Sequence, residues 1–301
     1  MGLTRKIAGQ LPYVLTESTF KFEVKTTTPD ETFTLPLVSD GTYNFTINHG
    51  DGDSDIITSY NASAITHTYS IAGTYNIRIT GTITGWQFVG STSAVLIYDI
   101  SSWGPIKYVG LNAFYGCTNL TISATDILDL TETTDLSYLF YGCESLTTIP
   151  NISMWDTSSI THFTYMFYKT LMNDDISGWD TSSLTELKLA FYEAYNFNRD
   201  ISGWDVSNCT SLYYLFSGSN FDQDISSWDV SSITNMENIF NNITISTVNY
   251  DALILSWSAQ VPTVTASFDG GDSKYTSGGE VEIARDAWIA KGWTITDGGA
   301  V

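Results

Sequence analysis

The six-residue phrase Asp-Ile-Ser-Gly-Trp-Asp opens at Asp175, returns at Asp200, and comes again at Asp224 with Ser227 in place of the glycine. A chain that repeats itself at this interval is restricted to folds in which one short unit lies against the next, because a single unit cannot shield its own apolar face. Phenylalanines mark the interval: Phe114, Phe140, Phe167, Phe191, Phe216 and Phe240 are separated by 26, 27, 24, 25 and 24 residues. Trp155, Trp179, Trp204 and Trp228 stand twelve residues before the last four of them. Leu128 takes that place in the second copy, and Trp103 lies one residue out of register in the first. About six copies, the first two degenerate, predict a stack of coils over residues 101–245.

Within each copy the apolar residues fall four, one and zero positions before or at the phenylalanine, as in Leu136, Leu139 and Phe140 or Leu212, Leu215 and Phe216. That spacing places three side chains on one face of a short helix. Thr134, Thr161, Thr185, Thr210 and Thr234 stand six residues before the marker, where a hydroxyl is expected to cap the first turn. Ile201 with Trp204, and Ile225 with Trp228, then read as a short extended segment.

Upstream, residues 18–100 alternate with the period of a strand, in TFKFEVKT, GTYNFTIN, GTYNIRITG and SAVLIYDI. Residues 1–17 form a mildly basic arm with Arg5 and Lys6, and 246–301 a terminal unit outside the repeat. The arm has no continuous apolar stretch, so the expectation is a chain without an export signal. No apolar run approaches the length of a membrane helix. With 33 acidic residues against 12 basic ones the formal charge is -21, which repels nucleic acid and anionic membranes.

Gly50-Asp51-Gly52, then His67-x-Tyr69 and Gly73-x-Tyr75, resemble the PKD (polycystic-kidney-disease-type) β-sandwich, although His49 stands where that family carries a large apolar residue. The resemblance implies an immunoglobulin-like spacer and binding module. The repeated phrase, extended as D-I-S-x-W-D-x-S-x-x-T-x-M-x-x-x-F, is similar to BspA-like leucine-rich-repeat surface proteins, which include the Mycoplasma lipoprotein-type repeats. YDALILSWSAQ and the tail after it look like the unit that closes such arrays. The expected fold is therefore mainly β with short helices: an Ig/PKD-like sandwich, an LRR-like α/β solenoid of about six coils, and a C-terminal cap.

Asp51, Asp53 and Asp55 are the candidate cation ligands, because alternate carboxylates can converge on a hard ion. The EF-hand register fails, with Ile56 in place of the glycine and Ala62 in place of the closing Glu, so turn chemistry is the preferred reading. Asp156, Asp180, Asp205 and Asp229, with Asp175, Asp200 and Asp224, are expected to close turns rather than to line a binding edge. Tyr165, Tyr168, Tyr192, Tyr195, Tyr213 and Tyr214 are the candidate binding surface, since they follow the repeat less regularly than the tryptophans. Cys117 and Cys143 share the context FYGC in adjacent copies, a placement that keeps a disulfide between them open, with free thiols as the preferred reading.

No catalytic residue and no cofactor is expected, since no nucleophile elbow, metal-ligand pair or phosphate loop is present. The resemblances imply a non-enzymatic display protein, foremost a bacteriophage virion component such as a head decoration, fibre or tail-attached protein. Its expected partners are other virion proteins through the arm or sandwich, a host-surface glycan or protein, and copies of itself. A bacterial cell-surface adhesin is the alternative, and a carbohydrate-active enzyme a remote one.

Overall fold

The computed structural model describes residues 19–107 and 110–301, so the expected arm over 1–17 lies outside the described residues. Strand β1, Thr19–Lys25, alternates as its sequence predicts and buries Phe20, Phe22 and Val24 on one face. It is followed by β2 (Glu31–Thr34), β3 (Leu37–Asn48), β4 (Ser54–Ile57), β5 (Thr66–Tyr69), β6 (Thr74–Trp86) and β7 (Ile97–Ser102). The main sheet is open, in the order β4-β3-β6-β1-β7, with antiparallel pairing throughout. Strands β2 and β5 form a separate antiparallel pair. The Phe22 and Phe33 rings, 5.9 Å apart, join that pair to the main sheet.

The sheet continues past residue 100. Two short strands, β8 (Ile106–Lys107) and β9 (Thr121–Ile122), add in parallel to β6 and β7. Ser123 and Ala124 both donate their amides to Ile100 O at 2.9 Å, so backbone bonds tie the sheet to the first copy of the repeat.

The helix expected in each copy is absent: between residues 110 and 246 the helical structure among the described residues is a single 3-10 turn at Ile152–Met154. Two left-handed residues flank every marker phenylalanine. Two positions before it stand Asn112, Tyr138, Tyr165, Leu189, Tyr214 and Asn238, with φ between 52 and 62°. Two positions after it stand Gly116, Gly142, Lys169, Glu193, Gly218 and Asn242, with φ between 52 and 72°. No right-handed helix accommodates such residues, and the backbone runs as a chain of tight turns instead. Amides alternate in their use: Leu139 N closes a turn on Leu136 O at 3.1 Å, whereas Phe140 N crosses to Met166 O of the next copy, also at 3.1 Å.

The threonines expected as caps serve as crosspieces. Thr161 donates its amide and its hydroxyl to Thr134 O at 2.8 and 2.9 Å. Thr185 does the same to Thr161 O at 2.9 and 3.1 Å. The indole N–H groups of Trp179, Trp204 and Trp228 reach back to Ile152 O, Ile176 O and Ile201 O at 2.9, 3.1 and 3.0 Å.

Inside, the six marker rings form an unbroken column with successive centroids 5.7 to 6.1 Å apart and planes within 18° of parallel. Trp155, Trp179 and Trp204 stack beside it at 6.2 and 6.1 Å. Each fully buried ring of this kind contributes about 1.5–3 kcal/mol, so the columns are a major source of cohesion between copies.

The two α-helices of the described residues lie at the C-terminal end. Helix α1 (Thr247–Gln260), β10 (Ala266–Asp269), α2 (Glu280–Ala290) and β11 (Trp293–Thr296) form a small unit in which β10 and β11 pair in parallel. Trp257 of α1 stacks on Trp228 at 6.4 Å, and Phe268 meets Phe240 edge-on at 6.2 Å. Arg285 and Asp297, paired at 2.9 Å and largely buried, brace the unit internally. Among the described residues no helix is long and apolar enough to cross a membrane.

Candidate functional site

On the outside of the phenylalanine column, tyrosines form a continuous strip. A residue next to an inward ring points outward, and that is where Tyr115, Tyr141, Tyr168 and Tyr192 stand. The left-handed position two before the ring carries Tyr138, Tyr165 and Tyr214. The two sets interleave. Tyr115 stacks on Tyr141 at 4.4 Å with planes 2° apart, and Tyr141 meets Tyr168 at 4.4 Å. Tyr138 stacks on Tyr165 at 5.1 Å, Tyr168 contacts Tyr192 at 5.2 Å, and Tyr192 meets Tyr214 at 5.5 Å. Tyr213 joins the end of the strip through Tyr214 at 4.5 Å.

Five of the six candidate tyrosines, Tyr165, Tyr168, Tyr192, Tyr213 and Tyr214, thus fall in one patch. Tyr195 stands beside it, half-exposed, with its hydroxyl donating to Glu193 Oε2 at 3.1 Å. Sequence reasoning missed Tyr115, Tyr138 and Tyr141. Their signal was present: each keeps the same offset from its phenylalanine as Tyr168 or Tyr165.

Where rings stack, as in Tyr115 on Tyr141 and Tyr138 on Tyr165, each covers a face of the other, while Tyr192 and Tyr213 meet Tyr214 edge to face. Burial raises the Tyr141, Tyr165 and Tyr214 phenols above their ordinary range, with neighbouring tyrosines adding to the effect. The Tyr192 phenol is pushed up to about 12 by burial and by the Glu193 carboxylate. Near neutral pH these four groups are O–H donors that also accept. Glu193 is paired with Lys169 at 3.5 Å, and the Lys169 ammonium lies 5.3 Å from the centre of the Tyr168 ring. The strip therefore offers hydroxyls, polarised ring edges and a flanking ion pair at its outer side.

The three candidate cation ligands do not act as one set. Asp51 Oδ2 pairs with His67 Nε2 at 2.7 Å, while its Oδ1 accepts the Asp53 amide at 3.0 Å. Asp55 Oδ2 turns to His49 Nε2 at 3.0 Å. The two imidazoles stack at 4.0 Å. The residues whose ligand atoms lie within 4.8 Å of one another are Asp51, Asp53 and His67, so a histidine enters where Asp55 was expected. His49, the departure from the PKD pattern, is buried beneath this cluster, and burial followed by the nearby His67 lowers its proton affinity.

The repeated aspartates close turns. Asp156, Asp180 and Asp205 each accept from the amide and hydroxyl of the serine two residues on, at 3.0–3.2 and 2.6 Å. Asp175, Asp200, Asp224 and Asp229 accept the corresponding amides at 2.9–3.0 Å. Cys117 and Cys143 are free and buried, and burial pushes both thiols up. Cys143 Sγ donates to Phe114 O at 3.2 Å.

Comparison with curated proteins and with solved structures returned no match. One family model matches twice, over residues 110–219 and 169–274, which together span more than half of the chain and take in the whole tyrosine strip. The chain belongs to the family described as Mycoplasma protein of unknown function, DUF285.

Proposed function

We propose that this chain is a non-enzymatic display protein whose tyrosine strip is its recognition surface. The observation that carries this reading is the strip itself: eight tyrosines drawn from five copies of the repeat meet ring to ring along one side of the molecule. In this reading residues 101–245 are a solenoid of the leucine-rich-repeat type, and residues 246–301 are its cap. Residues 18–100 are a PKD-like sandwich that serves as stalk. Copy-to-copy amide bonds and the phenylalanine column support the solenoid, and the pairing of β2 with β5 against the main sheet supports the sandwich.

The setting we propose is a bacteriophage particle, with the chain as decoration, fibre or tail-attached component, joined to other virion proteins through its N-terminal part. A bacterial cell surface is the second reading, and the Mycoplasma name of the family favours it. Mass spectrometry of purified particles and of surface-labelled cells separates the two. For the recognition surface, the chain is immobilised and offered intact host cells beside a variant carrying Tyr141→Ala, Tyr168→Ala and Tyr192→Ala. Loss of cell retention with the solenoid's melting preserved supports the strip. Equal retention of both proteins excludes it.

A further inference from the structure

Tyr115, Tyr141 and Tyr168 stand at the same offset in three successive copies, half-buried, and make the closest ring contacts of the outer strip. Centroids are 4.4 Å apart in both pairs, with planes 2° apart between Tyr115 and Tyr141 and 33° between Tyr141 and Tyr168. Burial first, and then the Tyr115 and Tyr168 phenols, act on the Tyr141 hydroxyl, and both neighbours reach it as hydrogen-bond partners. The three hydroxyl ends therefore lie on one side of the stack. In such a stack the carbon ortho to one hydroxyl faces the carbon ortho to the next. We propose that these three tyrosines are an oxidative modification site, at which hydrogen peroxide couples Tyr141 to Tyr115 or Tyr168 as dityrosine and so staples neighbouring copies of the repeat.

Coupling consumes one hydrogen peroxide, delivered as one-electron oxidations by a haem peroxidase. Each of two phenols gives up an electron and its hydroxyl proton and becomes a phenoxyl radical. The radicals combine through their ortho carbons, forming one C–C bond, and each ring then moves its ortho hydrogen to the phenol oxygen. In sum two ortho C–H bonds break, the O–O bond is reduced, and the peroxide leaves as two waters. Position decides which phenols react together. Rings already in contact couple within one molecule, at an effective concentration that a second chain in dilute solution does not reach. Exposure alone would favour Tyr60 and Tyr195, which are 41% and 51% exposed but contact no other ring among the described residues. Tyr213 and Tyr214 lie 4.5 Å apart, but planes at 73° set an edge against a face, so their ortho carbons are not opposed. A bond from Tyr141 to Tyr115 or Tyr168 joins residues 26 or 27 apart in sequence, and restricts the unfolded chain as a disulfide does.

The coupling depends on ring geometry and not on the recognition role proposed above. The full chain, in dilute solution, is treated with a haem peroxidase and limiting hydrogen peroxide, separated by size, digested and mapped by mass spectrometry. The expected product is a monomer with dityrosine fluorescence, in which the Tyr141 peptide is joined to that of Tyr115 or Tyr168 with the loss of two hydrogens. Tyr141→Phe keeps a ring in the stack without a phenol, and is expected to remove the greater part of the monomer's fluorescence. Tyr115→Phe combined with Tyr168→Phe, which removes the two phenols stacked on Tyr141, is expected to do the same. Tyr60→Phe is expected to leave the fluorescence unchanged. The cross-linked monomer is expected to melt at a higher temperature than the untreated chain. Absence of dityrosine, dityrosine only between chains, or coupling centred on Tyr60, Tyr195 or the Tyr213–Tyr214 pair overturns the proposal. Fluorescence unchanged in both stack variants overturns it as well, and a cross-linked monomer that melts no higher than the parent overturns the staple.

Discussion

Gly142 and Gly271 share a left-handed backbone, with φ of 70 and 63°, but not a neighbourhood. A Cβ on Gly142 would meet nothing nearer than Gly116 Cα at 3.8 Å, whereas one on Gly271 would lie 2.3 Å from the carbonyl oxygens of both Phe240 and Ile243. Gly142→Ala is therefore expected to cost about 1 kcal/mol, the conformational penalty alone. Gly271→Ala adds an overpacking cost of about 1–3 kcal/mol, because backbone has to move. Urea melts of the two variants measure the difference, and equal losses would mean that steric room plays no part. Asp180 allows a test with pH. Its carboxylate is held below its usual range by the Ser182 hydroxyl and amide, so it is depressed in the folded state relative to the unfolded one. Such a group contributes stability above its unfolded value, near pH 4, and that contribution disappears as pH falls through the folded value. The melting difference between the parent and Asp180→Ala is thus expected at pH 7 and shrinks as the pH is taken progressively below about 4. A difference that persists in acid would assign the effect to packing instead.

Phe191 shows what one copy owes to its neighbours. Its ring lies 5.7 Å from Phe167, 5.8 Å from Phe216 and 3.9 Å from Phe197, all three of them buried and within 15° of parallel to it. Phe191→Ala is expected to cost about 3–5 kcal/mol. Tyr192→Ala, one residue on and half-buried on the outer strip, should cost clearly less, and denaturant titration of both compares the inner and outer columns directly. The inner column was legible in the sequence because burial forces the same large ring into the same place in every copy. The local backbone was not. Residues four, one and zero before the marker share a side in a helix and also in the run of tight turns that Leu136, Leu139 and Phe140 adopt, so apolar spacing alone does not separate the two. The deciding residues are the left-handed ones, and at those positions Gly142 and Asn238 announce a turn while Tyr165, Leu189 and Glu193 do not. Bulky residues are costly there. They are held in place by amide bonds to the adjacent copy, such as Leu189 N to Tyr213 O at 3.0 Å. Three of the strip's eight tyrosines went unread for the related reason that its two offsets interleave only once that backbone is known. The cation cluster was read through its aspartates, but His67 arrives from β5 and its approach to Asp51 depends on strand pairing rather than on local spacing.

At the scale of the molecule, a stack of copies has two ends, and each leaves apolar rings and unpaired amides unless something covers it. At one end β8 and β9 carry the sheet into the first copies. At the other, the C-terminal unit covers the rings of the last copy: Trp257 stacks on Trp228, and Phe268 meets Phe240 edge-on. It also satisfies the last copy's backbone, with Met236 N donating to Ser267 O at 3.3 Å, Phe240 N to Asp269 O at 3.1 Å and Val230 N to Gln260 Oε1 at 3.0 Å. Removing residues 246–301 would strip these partners at once and expose Trp228, Met236 and Phe240 to water. Because stability in such an array passes from neighbour to neighbour, the damage should spread inward from the open end rather than stay local. The expected result is a protein that self-associates in light scattering and loses the sharpness of its thermal transition. A double substitution, Trp257→Ala with Phe268→Ala, leaves the chain intact and should reproduce the loss of cooperativity in weaker form. Should the shortened chain stay monomeric and melt as sharply as the parent, the last copy would have to be closing itself, and the proposed solenoid with its dedicated cap would be the wrong description of this half.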